Sequence, residues 1–193
     1  MERPNDIAAW RKGERKRLIE ARMAQSPADR EAFAARIIRQ LEELIGDPAG
    51  LVISAYWPFR GEPDLKPLLK SLRAQGAITA LPVVIAKASP LIFRGCQSGD
   101  KLERGVWNIP FPADGPDLVP DVAIAPVVGF DRSCFRLGYG GGFFDRTMAS
   151  LPRMPRFFGV GCAFQEIPSI HPQPHDIAMH AVVTEAAIVR PAR

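Results

Sequence analysis

Phe130-Asp131-Arg132-Ser133-Cys134-Phe135-Arg136-Leu137-Gly138-Tyr139-Gly140-Gly141-Gly142-Phe143-Phe144-Asp145-Arg146 packs four glycines into five positions directly after an apolar run, 122–128, with the composition of a buried strand. Glycine permits positive φ and lets backbone N–H groups approach a ligand closely. A helix expected to begin near Gly142 adds its positive N-terminal end. Strand, glycine loop (136–145) and helix in succession make a βα unit whose loop suits an anion such as phosphate. It is neither common phosphate motif: with Gly138 and Gly140 as the start of GxGxxG the third glycine falls on Phe143, and Gly-Lys-Ser or Gly-Lys-Thr occurs nowhere. Arg136 is placed to pair with a phosphate oxygen, and Asp145 to hold a magnesium ion through one carboxylate while phosphates supply further ligands. The same residues also fit a tight βα turn with Arg136 and Asp145 in a surface ion pair.

Outward from this unit, strand-like and helix-like segments alternate. Ser26-Pro27-Ala28-Asp29 reads as an N-cap, a proline at the first helical position and an acid in the first turn; Phe33, Ile37, Leu41, Leu44 and Ile45 then recur at helical spacing until Gly46. A buried strand is expected over 51–57, followed by a turn at Arg60-Gly61-Glu62-Pro63 and a helix starting at Asp64, with Leu65, Leu68, Leu69 and Leu72 inward and Gly76 closing it. Further strands are expected at 77–84, 90–94, 122–128, 156–160 and 181–189, with the proline-rich stretch 110–120 as a loop. Strands separated by helices indicate an α/β domain with a largely parallel sheet flanked by helices in three layers.

Composition narrows the function. The 193 residues are 47% hydrophobic, enough for one sizeable core, and 1–193 is read as a single domain. The charged start Met1-Glu2-Arg3-Pro4-Asn5-Asp6 is unlike a secretory signal, and no apolar run reaches the roughly 20 residues that span a bilayer. Cys96, Cys134 and Cys162 are odd in number and form no CxxC pair, which argues against disulfide and zinc frameworks and for a reducing, cytoplasmic setting. A net charge of +4 favours an anionic ligand without requiring nucleic acid. No membrane or nucleic-acid partner is expected, and a monomer is favoured.

Near the N-terminus, a basic helix is expected over about 6–24. Arg11, Arg15 and Arg22, at offsets of four and eleven, lie within about 40° of one another at ~100° per residue, with Leu18 in the same stripe. A leucine there implies a face that packs on the protein and aims guanidinium groups into a pocket. His171 and His175 are four apart, but Pro172 and Pro174 forbid the helix that would align them on one metal.

The glycine string closely resembles the signature of the 5-formyltetrahydrofolate cyclo-ligases (5,10-methenyltetrahydrofolate synthetases), P-x-x-G-F-D leading into R-L-G-Y-G-G-G-Y-Y-D-R. Pro126, Gly129-Phe130-Asp131, the run from Arg136 to Gly142 and Asp145-Arg146 match, with Phe143 and Phe144 for the tyrosines and Cys134 for a usual glycine. Tyr56-Trp57-Pro58 with Gly61-Glu62 and Asp64, Trp107-Asn108-Ile109-Pro110, Gln165, His175-Asp176 and Val183-Thr184-Glu185 extend the likeness over nearly the whole chain. The resemblance implies a NagB/RpiA/CoA-transferase-like fold and an ATP- and Mg²⁺-dependent cyclisation of 5-formyltetrahydrofolate to 5,10-methenyltetrahydrofolate, releasing ADP and phosphate. It implies ATP contacts from Arg11 (or Lys12), Arg15 and Arg22, from Arg136, Leu137, Gly138 and Tyr139, and from Gly140, Gly141, Gly142, Phe143 and Phe144. Folate contacts are implied for Tyr56, Glu62, Trp107, Tyr139 and Phe143, catalytic roles for Arg136 and Tyr139, and magnesium ligation for Asp145 and Asp176. Two other readings remain at this level: a folate- or nucleotide-binding paralogue without activity, and a sugar-phosphate isomerase or acyl-transferase of related fold.

Overall fold

A computed structural model describes residues 6–191; the charged segment 1–5, read above as unlike a signal, lies outside them. In chain order the elements are α1 (Ile7–Met23), α2 (Pro27–Ile45), β1 (Val52–Ser54), α3 (Lys66–Ala74), β2 (Ile78–Val83), β3 (Ile92–Gly95), β4 (Leu102–Arg104), β5 (Pro110–Pro112), β6 (Asp117–Leu118), β7 (Val122–Pro126), β8 (Gly129–Phe130), β9 (Arg136–Leu137), α4 (Phe143–Ser150), β10 (Arg156–Val160), β11 (Ala181–Val183) and β12 (Ile188–Val189). The main sheet runs β12-β11-β10-β7-β1-β2-β3-β6. Its five central strands are parallel, while β12, β3 and β6 pair antiparallel at the two edges.

The alternating geometry of a strand divides the core between the two faces of this sheet. Val122 and Ile124 of β7 join Ile53, Phe158 and Val183 under α2 and α3, whose Ile37, Leu41, Leu68 and Leu72 complete that layer. Ala123 and Ala125 point the other way, where Phe157, Val182 and Met148 of α4 form the second. Leu18 of α1 packs with Val128, Leu137, Ile167 and Ile170 in a smaller cluster at one end of the sheet. Helix α2 begins as its sequence predicts: Ser26 accepts a hydrogen bond from the Asp29 N–H, and Pro27 sits in the first turn.

Several expected boundaries shift. Asp64 does not start a helix but accepts the Lys66 N–H just ahead of α3. The strand expected over 181–189 is a hairpin, folded at residues 184–187 by Thr184, whose hydroxyl takes the Ala186 and Ala187 N–H groups. The expected loop 110–120 contains β5 and β6, and Pro110 and Pro112 are tolerated in β5 because it pairs only with β4 in a peripheral two-stranded sheet. Most consequential, the glycine loop does not spring directly from β7: the small β8–β9 hairpin intervenes and carries Arg136 on its second strand. Cys134, where glycine is usual, lies in that connection at φ +60, a conformation glycine adopts without strain.

Leu41 is fully buried at the centre of the α2–sheet layer. Leu41→Ala should lower unfolding free energy by about 2–5 kcal/mol, read as a drop in the urea midpoint with unchanged m-value.

Candidate functional site

Strand β1 is followed by β2 on one side and β7 lies on its other, so the chain reverses direction across the sheet at β1. In open α/β sheets a crevice forms beyond the carboxyl ends of the strands at such a point. A cavity of about 490 Å³ is found there, walled by Tyr56 and Trp57 after β1, Pro82 and Val83 of β2, Pro126 of β7, the glycine loop, and Arg11 and Arg15 of α1.

One half is basic. Gly140 (φ +94) and Gly142 (φ +63) take left-handed conformations, and a side chain on Gly141 would start 2.6 Å from the Phe143 ring, so this tight coil requires glycine. The Arg15 Nε–H donates to the Gly138 carbonyl at 2.7 Å, and its guanidinium lies against Gly140. Burial, with Arg11 nearby, depresses the Arg15 pKa, partly offset by Asp176. Arg136 is almost enclosed, resting on the rings of Phe144 and Phe157 at 5.5 and 5.2 Å and donating to Asp145 Oδ2 at 2.8 Å. Its other terminal nitrogen has no partner, and burial pulls its pKa down despite Asp145. Two cations depressed in one wall, one of them short of an acceptor, is the electrostatic condition for binding an anion. Gly142 precedes α4 without any capping side chain, so the first N–H groups of that helix face the same half uncapped.

The opposite half is aromatic. Trp107 and Asn108, both at positive φ, make the tip of the β4–β5 hairpin, closed by the Ile109 N–H on the Val106 carbonyl at 3.2 Å. Trp107 lies parallel to Phe59, 6.1 Å away, and 5.6 Å from Tyr139. With 48% of its surface exposed, it is a wall of the cavity mouth rather than a cap on the core. Behind these rings Glu62 accepts the Tyr139 hydroxyl at 2.7 Å and the Phe59 N–H at 2.8 Å. Burial raises its pKa to about 7 against the opposing pull of Arg22, Tyr139 and the Phe59 N–H.

Nearly all the sequence-predicted residues therefore converge. Arg11, Arg15, Tyr56, Glu62, Trp107, the whole run from Arg136 to Asp145, and Asp176 line the one cavity. Two do not. Lys12 is exposed and outside the lining. Arg22 is wholly buried behind Tyr139, donating to the Arg60 and Val127 carbonyls at 2.9 and 3.1 Å and to the Tyr139 hydroxyl at 2.5 Å. The face of α1 was read correctly, but its third arginine enters the protein instead of the pocket. The Arg136–Asp145 pair exists, buried rather than on the surface. Sequence reading missed Phe59, whose signal was its place beside Tyr56-Trp57-Pro58 in a polar turn.

The resemblance implies metal ligation by Asp145 and Asp176. Asp145 accepts from Arg136 and from the Ile177 N–H; Asp176 accepts from Arg11 at 2.5 Å and from the Gln173 N–H. Burial works to raise the Asp176 pKa, but the hydrogen bonds from Arg11 and Gln173 prevail and hold it low. Among the described residues no three His, Cys, Asp or Glu side chains group as a metal site. Two carboxylates with spare lone pairs on the wall fit a Mg²⁺ held largely by phosphate oxygens, not an all-protein cage.

The sequence model of the 5-formyltetrahydrofolate cyclo-ligase family matches residues 7–185. A 5-formyltetrahydrofolate cyclo-ligase of Mycolicibacterium smegmatis is 32% identical over 144 residues, 70% of this chain and 74% of that protein. Its Escherichia coli K12 namesake is 32% identical over 145 residues, 70% of this chain and 79% of the relative. The NMR structure of Aquifex aeolicus 5,10-methenyltetrahydrofolate synthetase superposes with a TM-score of 0.80 at 26% identity, covering 93% of this chain and 92% of that one. The Mycoplasma pneumoniae synthetase, 21% identical, shares the fold at a TM-score of 0.75 over 91% of this chain and 98% of its own.

A pH dependence follows from Glu62. Between pH 4.5 and about 7 the folded carboxyl keeps a proton that the unfolded one has lost, so stability falls as pH rises through that window. The full effect is about 3 kcal/mol at ~1.4 kcal/mol per pH unit. Glu62→Gln should flatten the loss, measured as urea unfolding free energy at pH 4.5 and pH 7.5.

Proposed function

The chain belongs to the 5-formyltetrahydrofolate cyclo-ligase family, and from that premise we propose that it uses ATP to close 5-formyltetrahydrofolate to 5,10-methenyltetrahydrofolate. The observation that carries the reading is the unpartnered, buried guanidinium nitrogen of Arg136 beside the uncapped start of α4, in the same cavity as the Phe59–Trp107–Tyr139 wall. A triphosphate suits the first half and a flat heterocycle the second, which puts the γ-phosphate and the formyl group at their junction.

The formyl oxygen attacks the γ-phosphorus and ADP departs, leaving a phosphorylated imidate. N10 then bonds to the activated carbon and gives up its proton, and the C–O bond breaks to release phosphate carrying the former formyl oxygen. No protein nucleophile is needed; the work is alignment and charge neutralisation. Arg136 and Arg15 bind and orient the phosphates, the loop amides supply further donors, and Tyr139 sits between the two halves. Asp145 and Asp176 would hold Mg²⁺, which, bound with the nucleotide, neutralises phosphate charge. Ligand binding releases Arg11 and Arg136 from the acids they now face.

Phenylalanine at 143 and 144 is compatible with this activity. The Phe144 ring serves as a platform under Arg136, and Phe143 packs on Gly141 with Arg146 over its face at 5.7 Å, neither role calling for a hydroxyl.

Mixed with 5-formyltetrahydrofolate, ATP and Mg²⁺, the protein should produce the absorbance of methenyltetrahydrofolate and one ADP per product. Turnover without ATP, or none, would overturn the proposal. Arg136→Lys keeps the charge but loses the planar fork of donors offered to a phosphate, and should lower kcat/KM for ATP by about 10²–10³. An unchanged value would remove Arg136 from the machinery.

A further inference from the structure

Arg22 is a guanidinium with no exposed surface and no place in the cavity wall, yet it is tied to two residues that do line it. One terminal nitrogen donates to the Tyr139 hydroxyl at 2.5 Å and stands 3.7 Å from Glu62 Oε1; the other donates to the Val127 carbonyl, and Nε to the Arg60 carbonyl. Tyr139 then has one hydroxyl proton to give, and gives it to Glu62 at 2.7 Å. A hydroxyl that accepts from a cation and donates to a carboxylate has its direction fixed. We infer that Arg22 is a positioning residue for the folate half of the site: it is the counter-charge beside Glu62 and keeps the Tyr139 hydroxyl turned toward that side chain, so that Glu62 accepts an N–H of the reduced pterin.

This rests on the functional reading above. Arg22 touches neither substrate and acts only through Tyr139 and Glu62. The groups facing Glu62 are Arg22 from α1, Tyr139 from the glycine loop, and Tyr56 after β1, with Cys162 after β10 close to Arg22 and Tyr56. Burial raises the pKa of both tyrosines and of the Cys162 thiol, so each is neutral at neutral pH. Arg22 is thus the cation in this set, and its removal leaves the carboxylate with hydrogen bonds but no counter-charge.

The test uses the full chain, with Arg22→Met and Arg22→Lys compared with wild type from pH 5.5 to 9. Arg22→Met should raise KM for 5-formyltetrahydrofolate at least tenfold at pH 7 while leaving KM for ATP within about twofold. It should also move the acidic limb of the kcat/KM profile up by about one pH unit, with Arg22→Lys recovering much of that displacement. A rise in KM for ATP alone would make Arg22 a nucleotide contact, and a lowered Tm with unmoved pH limbs would make it structural only; either overturns the inference. Should Arg22→Met fail to fold, Arg22→Lys must show the same limb displacement in smaller measure. An inactive wild type would sink the functional reading instead. The coupling is then read from unfolding: loss of stability with rising pH should continue to higher pH in the Arg22 variants, and coincident curves would reject it.

Discussion

The site hangs on one buried cation. Arg22 joins the loop after β1, the end of β7, the glycine loop and α1 through four side-chain contacts. Removing one partner of such a buried charge typically costs 3–5 kcal/mol, because the remaining groups lose their compensation without regaining water. The geometry of the switch point is therefore set by where a guanidinium can satisfy its donors. Glu62 and Tyr139 take their positions from that requirement and the cavity takes its shape from theirs. Gly129 lies against the same helix: a β-carbon there would fall 2.7 Å from the Leu18 side chain, one helical turn from Arg22, so α1 packs closely on the β8 backbone.

Around that anchor the charges are arranged to be exchanged. Arg11 and Asp176, and Arg136 and Asp145, neutralise each other across the basic half. In a partly enclosed site such pairs pay for desolvation with hydrogen bonds, and a phosphate can replace the carboxylate as acceptor without leaving the arginine bare. With both pairs closed and Arg15 hydrogen-bonded to the Gly138 carbonyl, the basic half keeps an excess of positive charge, and no large rearrangement is needed to reveal its donors.

Much of this was legible in the sequence because it is local. Glycine spacing marked the loop, Ser26-Pro27 marked the start of α2, and short continuous apolar runs marked β7 and β10, each signal lying within a few residues of the feature it specifies. The β8–β9 hairpin escaped because strands of two residues are too short to display a period. The division of 181–189 into two strands escaped because the Thr184 turn is made by a side chain, without glycine or proline to announce it. Arg22 was assigned to the right stripe and the wrong side of Tyr139: helical angle fixes a residue's direction to within tens of degrees, whereas pocket and core differ there by the width of one side chain.

The aromatic wall shows what the sheet alone does not provide. Trp107 and Asn108 are successive left-handed residues without glycine, an arrangement costing about 1–2 kcal/mol per residue. Consecutive positive φ values turn the chain tightly within the 105–109 connection, so β4 and β5 pair and project the tip toward the cavity. Glycine at these positions would relieve the strain but would remove the indole that lies parallel to Phe59. The fold accepts local strain to set a flat apolar surface opposite a basic loop. A molecule that is aromatic at one end and reacts with a triphosphate at the other meets both surfaces at once, and Tyr139, in contact with the rings and with the buried Arg22–Glu62 pair, is where they join.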